Sequence, residues 1–95
     1  MDGLQFEWDT GKAANNLAKH GVSFLTAAGI FANAIIERVD DREEYGELRF
    51  MALGRVETNV YPVVYTWRGD SVIRIISAQK ASRNEREVYY RQVLT

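Results

Sequence analysis

Residues 60–79, VYPVVYTWRGDSVIRIISAQ, decide how this chain folds. Val60 to Trp67 is rich in β-branched and aromatic residues, which favour strands, and Gly69-Asp70 supplies a tight turn into a second strand from Ser71 to Gln79. Pro62 lacks a backbone donor, so its strand is expected to be bulged or exposed near that point. The stretch predicts a β-hairpin, and with it an antiparallel sheet.

Working outward, the hairpin is flanked by further strands and by helices. The other predicted strands are Leu4 to Trp8, Ala34 to Val39 and Leu48 to Leu53. The predicted helices run from the N-cap Asp9 to His20-Gly21, from Ser23 to about Asn33, and onward from a capping box of Ser82 and Glu85. The order β-α-α-β-β-β-β-α predicts an α+β fold: an antiparallel four- to five-stranded sheet with two N-terminal helices and one C-terminal helix, packed on one face.

Length and composition limit the classes of protein to consider. Ninety-five residues with 46% hydrophobic and 26% charged residues suit one globular domain over residues 1–95. The sequence has no cysteine and no apolar stretch approaching the roughly 20 residues of a membrane span, so we expect no membrane association and a cytoplasmic location.

The net charge of −1 conceals an uneven distribution of charge. From Glu37 to Glu57 there are seven acidic and four basic residues, whereas from Arg68 to Arg91 there are six basic and three acidic residues. A fold that gathers the late residues would give one surface a positive potential. A solvated surface without a ligand would show the same pattern.

Arg74 interrupts the alternation of the last strand. Period two places Ile73, Ile75 and Ser77 on one face of it, and Val72, Arg74, Ile76 and Ala78 on the other. A guanidinium among apolar residues requires an anion, and its planar fork suits a phosphate or a carboxylate. Either Arg74 binds a ligand, or it forms a structural ion pair with, for example, Glu47 or Asp41, or it is hydrated at a sheet edge.

Other cations stand close to the ends of helices. Lys80, Arg83 and Arg86 surround the start of the last helix, where free backbone amides also favour an anion. Lys19 and His20 end the first helix, and His20 could exchange a proton near neutral pH or simply compensate the helix dipole. A single histidine and adjacent carboxylates do not predict a metal site, so no metal or other cofactor is expected.

Three groups of residues, in the expected order along nearly the whole chain, resemble the motifs of BrnT toxins. The opening motif is matched by Phe6-Glu7-Trp8-Asp9, Lys12, Asn16, Lys19-His20-Gly21-Val22 and Phe24. The middle is matched by Gly46-Glu47, Arg49 and Leu53-Gly54, and the closing motif by Arg74-Ile75-Ile76-Ser77-Ala78, Lys80-Ala81, Arg83, Glu85 and Tyr89. Two departures are Gln79, where the family commonly has arginine, and Ala32-Asn33-Ala34, which lacks an Asp-Pro often found after the second helix.

The resemblance implies a RelE-like fold and a toxin of a type II toxin–antitoxin system. It implies a ribonuclease that inhibits translation and growth, neutralised by a BrnA-type ribbon-helix-helix antitoxin, with operator DNA bound only through that antitoxin. As a mechanism, an RNA 2′-hydroxyl would attack the neighbouring phosphate without a metal, Arg74 and Arg83 would stabilise the developing charge, and Lys19, His20 or Lys80 would move protons.

Other residues would contact the RNA outside the reacting phosphate. Arg68 and Arg86 would contact phosphates, and Tyr65 and Tyr89 would stack on bases, although aromatic residues at such positions are more often core. The alternative function is a nonenzymatic interaction protein on the same scaffold that binds an acidic partner through its basic surface. A duplex-DNA reader is disfavoured because the chain is slightly acidic and shows no obvious recognition helix.

Overall fold

The computed structural model of the protein describes residues 3–93. Along the chain the elements are β1 (Gln5–Glu7), α1 (Thr10–His20), α2 (Phe24–Ala28), a 3-10 turn (Gly29–Ala32), β2 (Ile35–Val39), β3 (Phe50–Val56), β4 (Asn59–Arg68), β5 (Val72–Ala78) and α3 (Arg83–Val93). The predicted hairpin is confirmed as β4 and β5, which pair antiparallel from Val63 opposite Ala78 to Arg68 opposite Val72.

The five strands form one mixed sheet in the order β1-β5-β4-β3-β2. The prediction of a purely antiparallel sheet is wrong, because β1 lies parallel to β5, with Gln5 beside Val72 and Glu7 beside Arg74. Strands β2 to β5 are joined consecutively, and short connections require antiparallel neighbours. No short connection joins β1 to β5, so the order of the elements does not determine the direction of β1. After β1 the chain continues directly into α1.

The first face of the sheet is covered by α1, α2 and the 3-10 turn. Its core consists of buried side chains from these helices and from the central strands: Val22, Phe24, Ala27, Ile30, Ala52, Tyr61, Val63, Tyr65, Ile73, Ile75 and Ala78. The contact is so close that a Cβ atom on Gly54 would lie 2.5 Å from the Cβ of Ile30. Glycine at this position therefore permits the 3-10 turn to rest on β3.

The last helix packs on the second face, which corrects the prediction that all the helices share one face. Buried Tyr89 of α3 belongs to a smaller cluster with Val60, and Ile36 and Leu53 pack against it. Leu53 lies between Ala52 and Gly54, which face α2 and the 3-10 turn, so strand alternation directs Leu53 to the other side. Apolar residues at both parities of β2 to β4 require cover on both faces.

The helix ends confirm the capping signals read from the sequence. The Asp9 side chain accepts a hydrogen bond from the Lys12 backbone N–H at 2.9 Å, and Gly21 ends α1 with φ of 72°. At α3 the backbone N–H of Ser82 donates to Glu85 and that of Glu85 to Ser82 Oγ, at 2.8 and 3.1 Å. These caps fix the ends of the helices at which Lys19, His20 and Arg83 lie.

Candidate functional site

Helix α3 covers only part of the second face, because it contacts β2, β3 and β4. Beyond it lies a surface that we call the open face, formed by side chains of all five strands and of the segment before β3. Its members are Glu7, Arg38, Met51, Val64, Thr66, Arg68, Arg74 and Ser77, which the strand register places there, together with Arg49, which directly precedes β3. Four of these nine residues are arginines and one is a glutamate, so the open face is a basic surface.

Arg74 lies at the centre of an ion-pair group on the open face. Its Nη1 donates to Glu7 Oε2 at 2.8 Å, and Arg68 Nε lies 3.6 Å from the same oxygen. The parallel register of β1 creates this contact by placing Glu7 directly beside Arg74. Among the alternatives left open by the sequence, the ion pair is present, but its partner is Glu7 and not Glu47 or Asp41.

The Glu7–Arg74 pair remains accessible from solvent. The Arg74 side chain is 30% exposed and that of Glu7 is 41% exposed. An arginine held by one carboxylate keeps further N–H donors, and at this exposure they can reach an incoming anion. The group thus presents two guanidinium groups and one carboxylate around one accessible point.

A β-bulge in β5 changes which residues join this surface. Val64 pairs with Ser77 but Tyr65 pairs with Ile75, so Ile76 is an extra residue in the strand. Strict alternation placed Ser77 with Ile73 and Ile75, and this prediction is wrong. Past the bulge Ala78 belongs to the core of the first face, and Ser77 joins Val64 on the second face.

A second arginine is fixed by a buried carboxylate at the end of β2. Arg42 donates from Nε and Nη2 to the two carboxylate oxygens of Asp40, at 2.6 and 2.9 Å, and the Tyr45 hydroxyl donates to Asp40 at 3.3 Å. The Asp40 side chain is 1% exposed whereas that of Arg42 is 60% exposed. Hydrogen bonding from Arg42 lowers the pKa of Asp40 to about 2, and Asp40 in turn raises the pKa of Arg42.

Arg42 lines a small hollow on the second face, next to the start of α3. The hollow has a volume of about 100 Å³ and is lined by Arg42, Met51, Pro62, Val64, Ser77, Gln79 and Glu85. Gln79, noted above as a departure from the family pattern, therefore adds an amide where an arginine would add a second cation. Arg42 could not be recognised as a site residue from the sequence, because it lies in a segment of net negative charge.

Comparison with known proteins adds to this geometry. A family model described as "Ribonuclease toxin, BrnT, of type II toxin-antitoxin system" matches residues 8–85. The chain belongs to the BrnT family. The crystal structure of the Brucella abortus ribonuclease toxin BrnT, at 1.1 Å resolution, is similar to this chain with a TM-score of 0.64 and 26% sequence identity. The match covers 84% of this chain and 99% of that one. The search of curated proteins gave no match.

The family match confirms the resemblance read from the sequence and shows the protein as a ribonuclease toxin of a type II toxin–antitoxin system. Membership in the family implies an antitoxin as partner. Among residues 3–93, no group of three or more histidine, aspartate, glutamate or cysteine side chains could hold a metal ion. No helix in the described part of the chain is long and apolar enough to cross a membrane.

Three further cations, Lys80, Arg83 and Arg86, follow β5 around the start of α3. Lys80 and Arg83 are exposed, and Arg83 Nε lies 3.4 Å from Glu87, one turn along α3. Arg86 donates from Nη1 to the Ala81 carbonyl at 3.1 Å. Within residues 3–93, Lys80, Arg83 and Arg86 form no hydrogen bond or ion pair with the Glu7–Arg74 group.

Lys19 and His20 end α1, which packs on the first face, opposite to the side that carries Arg74. The amide group of Asn16 anchors this helix: its Nδ2 donates to the Val22 and Ala78 carbonyls, both at 2.9 Å. The end of α1 is thereby fixed beside the end of β5. Ala78, which ends β5, precedes Lys80 by two residues. The sheet therefore separates Lys19 and His20 from Arg74.

Tyr65 and Tyr89, predicted to stack on bases, are fully buried. Tyr65 packs on the first face against Phe31, with ring centroids 5.0 Å apart, and its hydroxyl donates to Glu37. The Tyr89 hydroxyl donates to the Ala34 carbonyl at 2.8 Å. Neither ring offers a face to a ligand, so both residues are assigned to the core, which is the usual role of aromatic residues at such positions.

Proposed function

We propose that this protein is an endoribonuclease that cleaves RNA without a metal ion and binds the reacting phosphate at the Glu7–Arg74 group of the open face. The observation that carries the proposal is the accessible arginine pair around one carboxylate, in which Arg74 and Arg68 both lie against Glu7 Oε2. Two guanidinium groups favour a phosphate at this point. The family resemblance also supports classifying the fold as RelE-like.

The chemistry follows from these groups. The 2′-hydroxyl of the RNA attacks the adjacent phosphorus and the bond to the 5′-oxygen of the next nucleotide breaks. The departing 5′-oxygen takes a proton from solvent water, so the products are a 2′,3′-cyclic phosphate and a 5′-hydroxyl. Arg74 stabilises the negative charge that builds on the phosphoryl oxygens. Glu7 is the carboxylate closest to a phosphate bound there, so it accepts the proton of the 2′-hydroxyl.

The remaining cations contribute to binding the RNA on either side of the cut. Arg42 and Arg49 contact its phosphates on the side of β2, and Lys80, Arg83 and Arg86 contact them around the start of α3. Lys19 and His20, on the far side of the sheet from Arg74, are the weakest candidates for moving protons at the reacting phosphate. Lys80 is the better placed of the three to neutralise a phosphate at the end of β5.

Incubating the purified protein with a labelled RNA oligonucleotide, with and without excess EDTA, tests the proposal. We expect equal cleavage under both conditions, and products that carry a 2′,3′-cyclic phosphate. Loss of cleavage in EDTA, restored by a divalent cation, would contradict the metal-independent mechanism. Salt-sensitive RNA or protein binding without any product would instead favour a nonenzymatic interaction protein.

In the cell, we propose that this activity inhibits translation and growth and is neutralised by a BrnA-type ribbon-helix-helix antitoxin, which alone contacts operator DNA. The implied antitoxin partner supports this scheme. Expression of the toxin is expected to arrest growth, and co-expression of a ribbon-helix-helix protein encoded beside it is expected to restore growth. Growth arrest that the neighbouring protein does not relieve would count against this choice of antitoxin.

A further inference from the structure

Exposed apolar side chains gather at one end of the first face, where the helices do not reach. Four of the six exposed large hydrophobic residues in the described chain lie there: Leu4, Val39, Leu48 and Trp67. We call these four residues the end patch. Leu48 is 60% exposed and Trp67 is 38% exposed. Exposed apolar side chains scattered singly need no explanation, but a group of this kind marks a binding surface.

Strand register places the end patch on one continuous surface. Val39 pairs with Phe50, and Phe50 pairs with Tyr65, so these three side chains lie side by side on the first face. Trp67 follows Tyr65 by two residues in β4, which directs it to the same side. Leu48, in the segment before β3, lines a hollow together with Phe50 and Trp67. Phe31, at the end of the 3-10 turn, packs on Tyr65 and Phe6 and is the last helical side chain before the patch.

Hollows between these side chains can receive the side chains of a partner. One hollow of about 380 Å³ is lined by Leu48, Phe50 and Trp67 together with Glu47, Thr66 and Arg68. Another, of about 690 Å³, is lined by Leu4, Phe31 and Asp70 among others. Apolar anchors entering such hollows supply most of the free energy of typical protein interfaces.

The surroundings of the end patch are acidic. Val39 and Leu48 share a hollow with Asp41, Glu43 and Glu44. These three carboxylates and Asp70 are exposed and form no ion pair within residues 3–93, whereas the two arginines of the same loop are paired with Asp40 and Glu47. A partner that covers the patch must therefore bring basic groups to these acids.

We propose that the end patch is the docking surface for the antitoxin, through a segment whose apolar side chains fill the hollows and whose Lys or Arg side chains meet Asp41, Glu43, Glu44 and Asp70. The inference rests on the proposed function, which supplies the antitoxin. RNA is excluded as the occupant because its phosphates would face these carboxylates. A second copy of this chain would likewise bring the same acids together around a two-fold axis.

Binding here places the antitoxin next to the reacting phosphate without requiring contact with Arg74. Trp67 of the end patch is followed by Arg68, whose guanidinium lies against Glu7 on the open face. Arg68 also lines the hollow that holds Leu48 and Trp67. A protein bound at the end patch therefore reaches the edge of the open face and blocks the path of an RNA strand.

Leu48→Ser tests this proposal, with Leu25→Ser as its matched control. Leu25 is 75% exposed on α2 and lies outside the end patch. The affinity of the full-length toxin for the ribbon-helix-helix protein encoded beside it is measured by titration calorimetry. We expect Leu48→Ser and Trp67→Ala each to weaken binding at least about tenfold, and Leu25→Ser to leave it unchanged. The double variant Glu43→Lys/Glu44→Lys should also weaken antitoxin binding, and by a larger factor at low salt than at high salt.

RNA cleavage by each variant is measured separately, without the antitoxin. Cleavage by Leu48→Ser at the wild-type rate, no longer inhibited by the antitoxin, would support the proposal. If the wild type cuts no RNA but the binding losses occur, the proposed reaction fails and the docking surface stands. Unchanged antitoxin affinity in both patch variants would overturn the docking proposal. So would wild-type toxin that does not bind the ribbon-helix-helix protein encoded beside it. It would also be overturned by a toxin dimer that Leu48→Ser dissociates, or by RNA binding that this change weakens.

Discussion

Replacing Arg74 distinguishes a catalytic role from a structural one, because the two roles predict free-energy changes of different size. The Glu7–Arg74 pair is partly open to solvent, with side chains 41% and 30% exposed. Ion pairs at such exposure contribute at most about 1 kcal/mol to the free energy of unfolding. Removing a group that stabilises developing charge costs about 3 to 4 kcal/mol in the transition state. Arg74→Ala should therefore reduce the cleavage rate by about 10²- to 10³-fold in a protein that remains folded.

The assay is a single-turnover measurement with protein in excess over a labelled RNA oligonucleotide, combined with urea denaturation of the same samples. Arg55→Ala is the matched control: Arg55 lies near the end of β3, donates to the Glu57 carbonyl at 2.8 Å and is not one of the residues of the open face. The control should cleave RNA at the wild-type rate. Arg74→Ala that cuts RNA as fast as the wild type would refute the assignment of Arg74.

Glu7→Gln extends this test to the proposed proton acceptor. Glutamine can still accept a hydrogen bond from Arg74 through its side-chain oxygen, so the position of the arginine is largely kept. Loss of a general base typically lowers a rate by 10²- to 10⁴-fold, so we expect a decrease of about 10²-fold with RNA affinity nearly unchanged. A decrease of less than about threefold would mean that Glu7 only positions Arg74.

Three further predictions concern stability and the basic surface. The pKa of Asp40 falls from 3.8 to about 2 on folding, so its contribution to the free energy of unfolding is complete above about pH 4 and is lost as the pH falls toward 2. Asp40→Asn should therefore lower the free energy of unfolding by about 1 to 2 kcal/mol at pH 7 and by almost nothing at pH 2, measured by urea denaturation. Gly54→Ala places a Cβ atom 2.5 Å from that of Ile30 and should destabilise the fold by about 2 kcal/mol, measured in the same way. Gln79→Arg adds a cation to the hollow that holds Arg42 and should steepen the salt dependence of RNA binding by about 0.7 in the slope of log K against log salt; an unchanged slope would show that RNA does not reach the hollow.

The parts of the fold that the sequence predicted are those set by local chemistry. The hairpin of β4 and β5 follows from its turn and its β-branched residues, and the caps at Asp9 and Ser82 follow from side chains three residues from their partners. The direction of β1 could not be predicted, because its pairing with β5 joins residues 67 positions apart, as in the bond between Arg74 and Glu7. The anionic partner of Arg74 remained undetermined for the same reason.

The arginines before β3 were missed because net charge was counted along the chain and not across a surface. Residues 37–57 carry seven acidic and four basic residues, which predicts an acidic segment. In the sheet, the register places Arg38 on the same face as Arg74, Arg49 directly precedes β3, and Arg42, held by Asp40, lines a hollow on that face. Only the strand register, together with the bulge after Ile75, determines which side chains share that face.

The fold thus sorts charge by face instead of by position in the sequence. Arginines from the acidic middle segment and from the basic last third meet on the open face, while the acids Asp41, Glu43 and Glu44 border the end patch. A chain of 95 residues can in this way present separate surfaces to a polyanion and to a basic protein. Since Trp67 and Arg68 are consecutive in β4 and point to opposite faces, the two surfaces meet at the end of one strand. On this proposal the antitoxin inhibits by occupying that end, and toxin variants that lose inhibition should map to the end patch and not to Arg74.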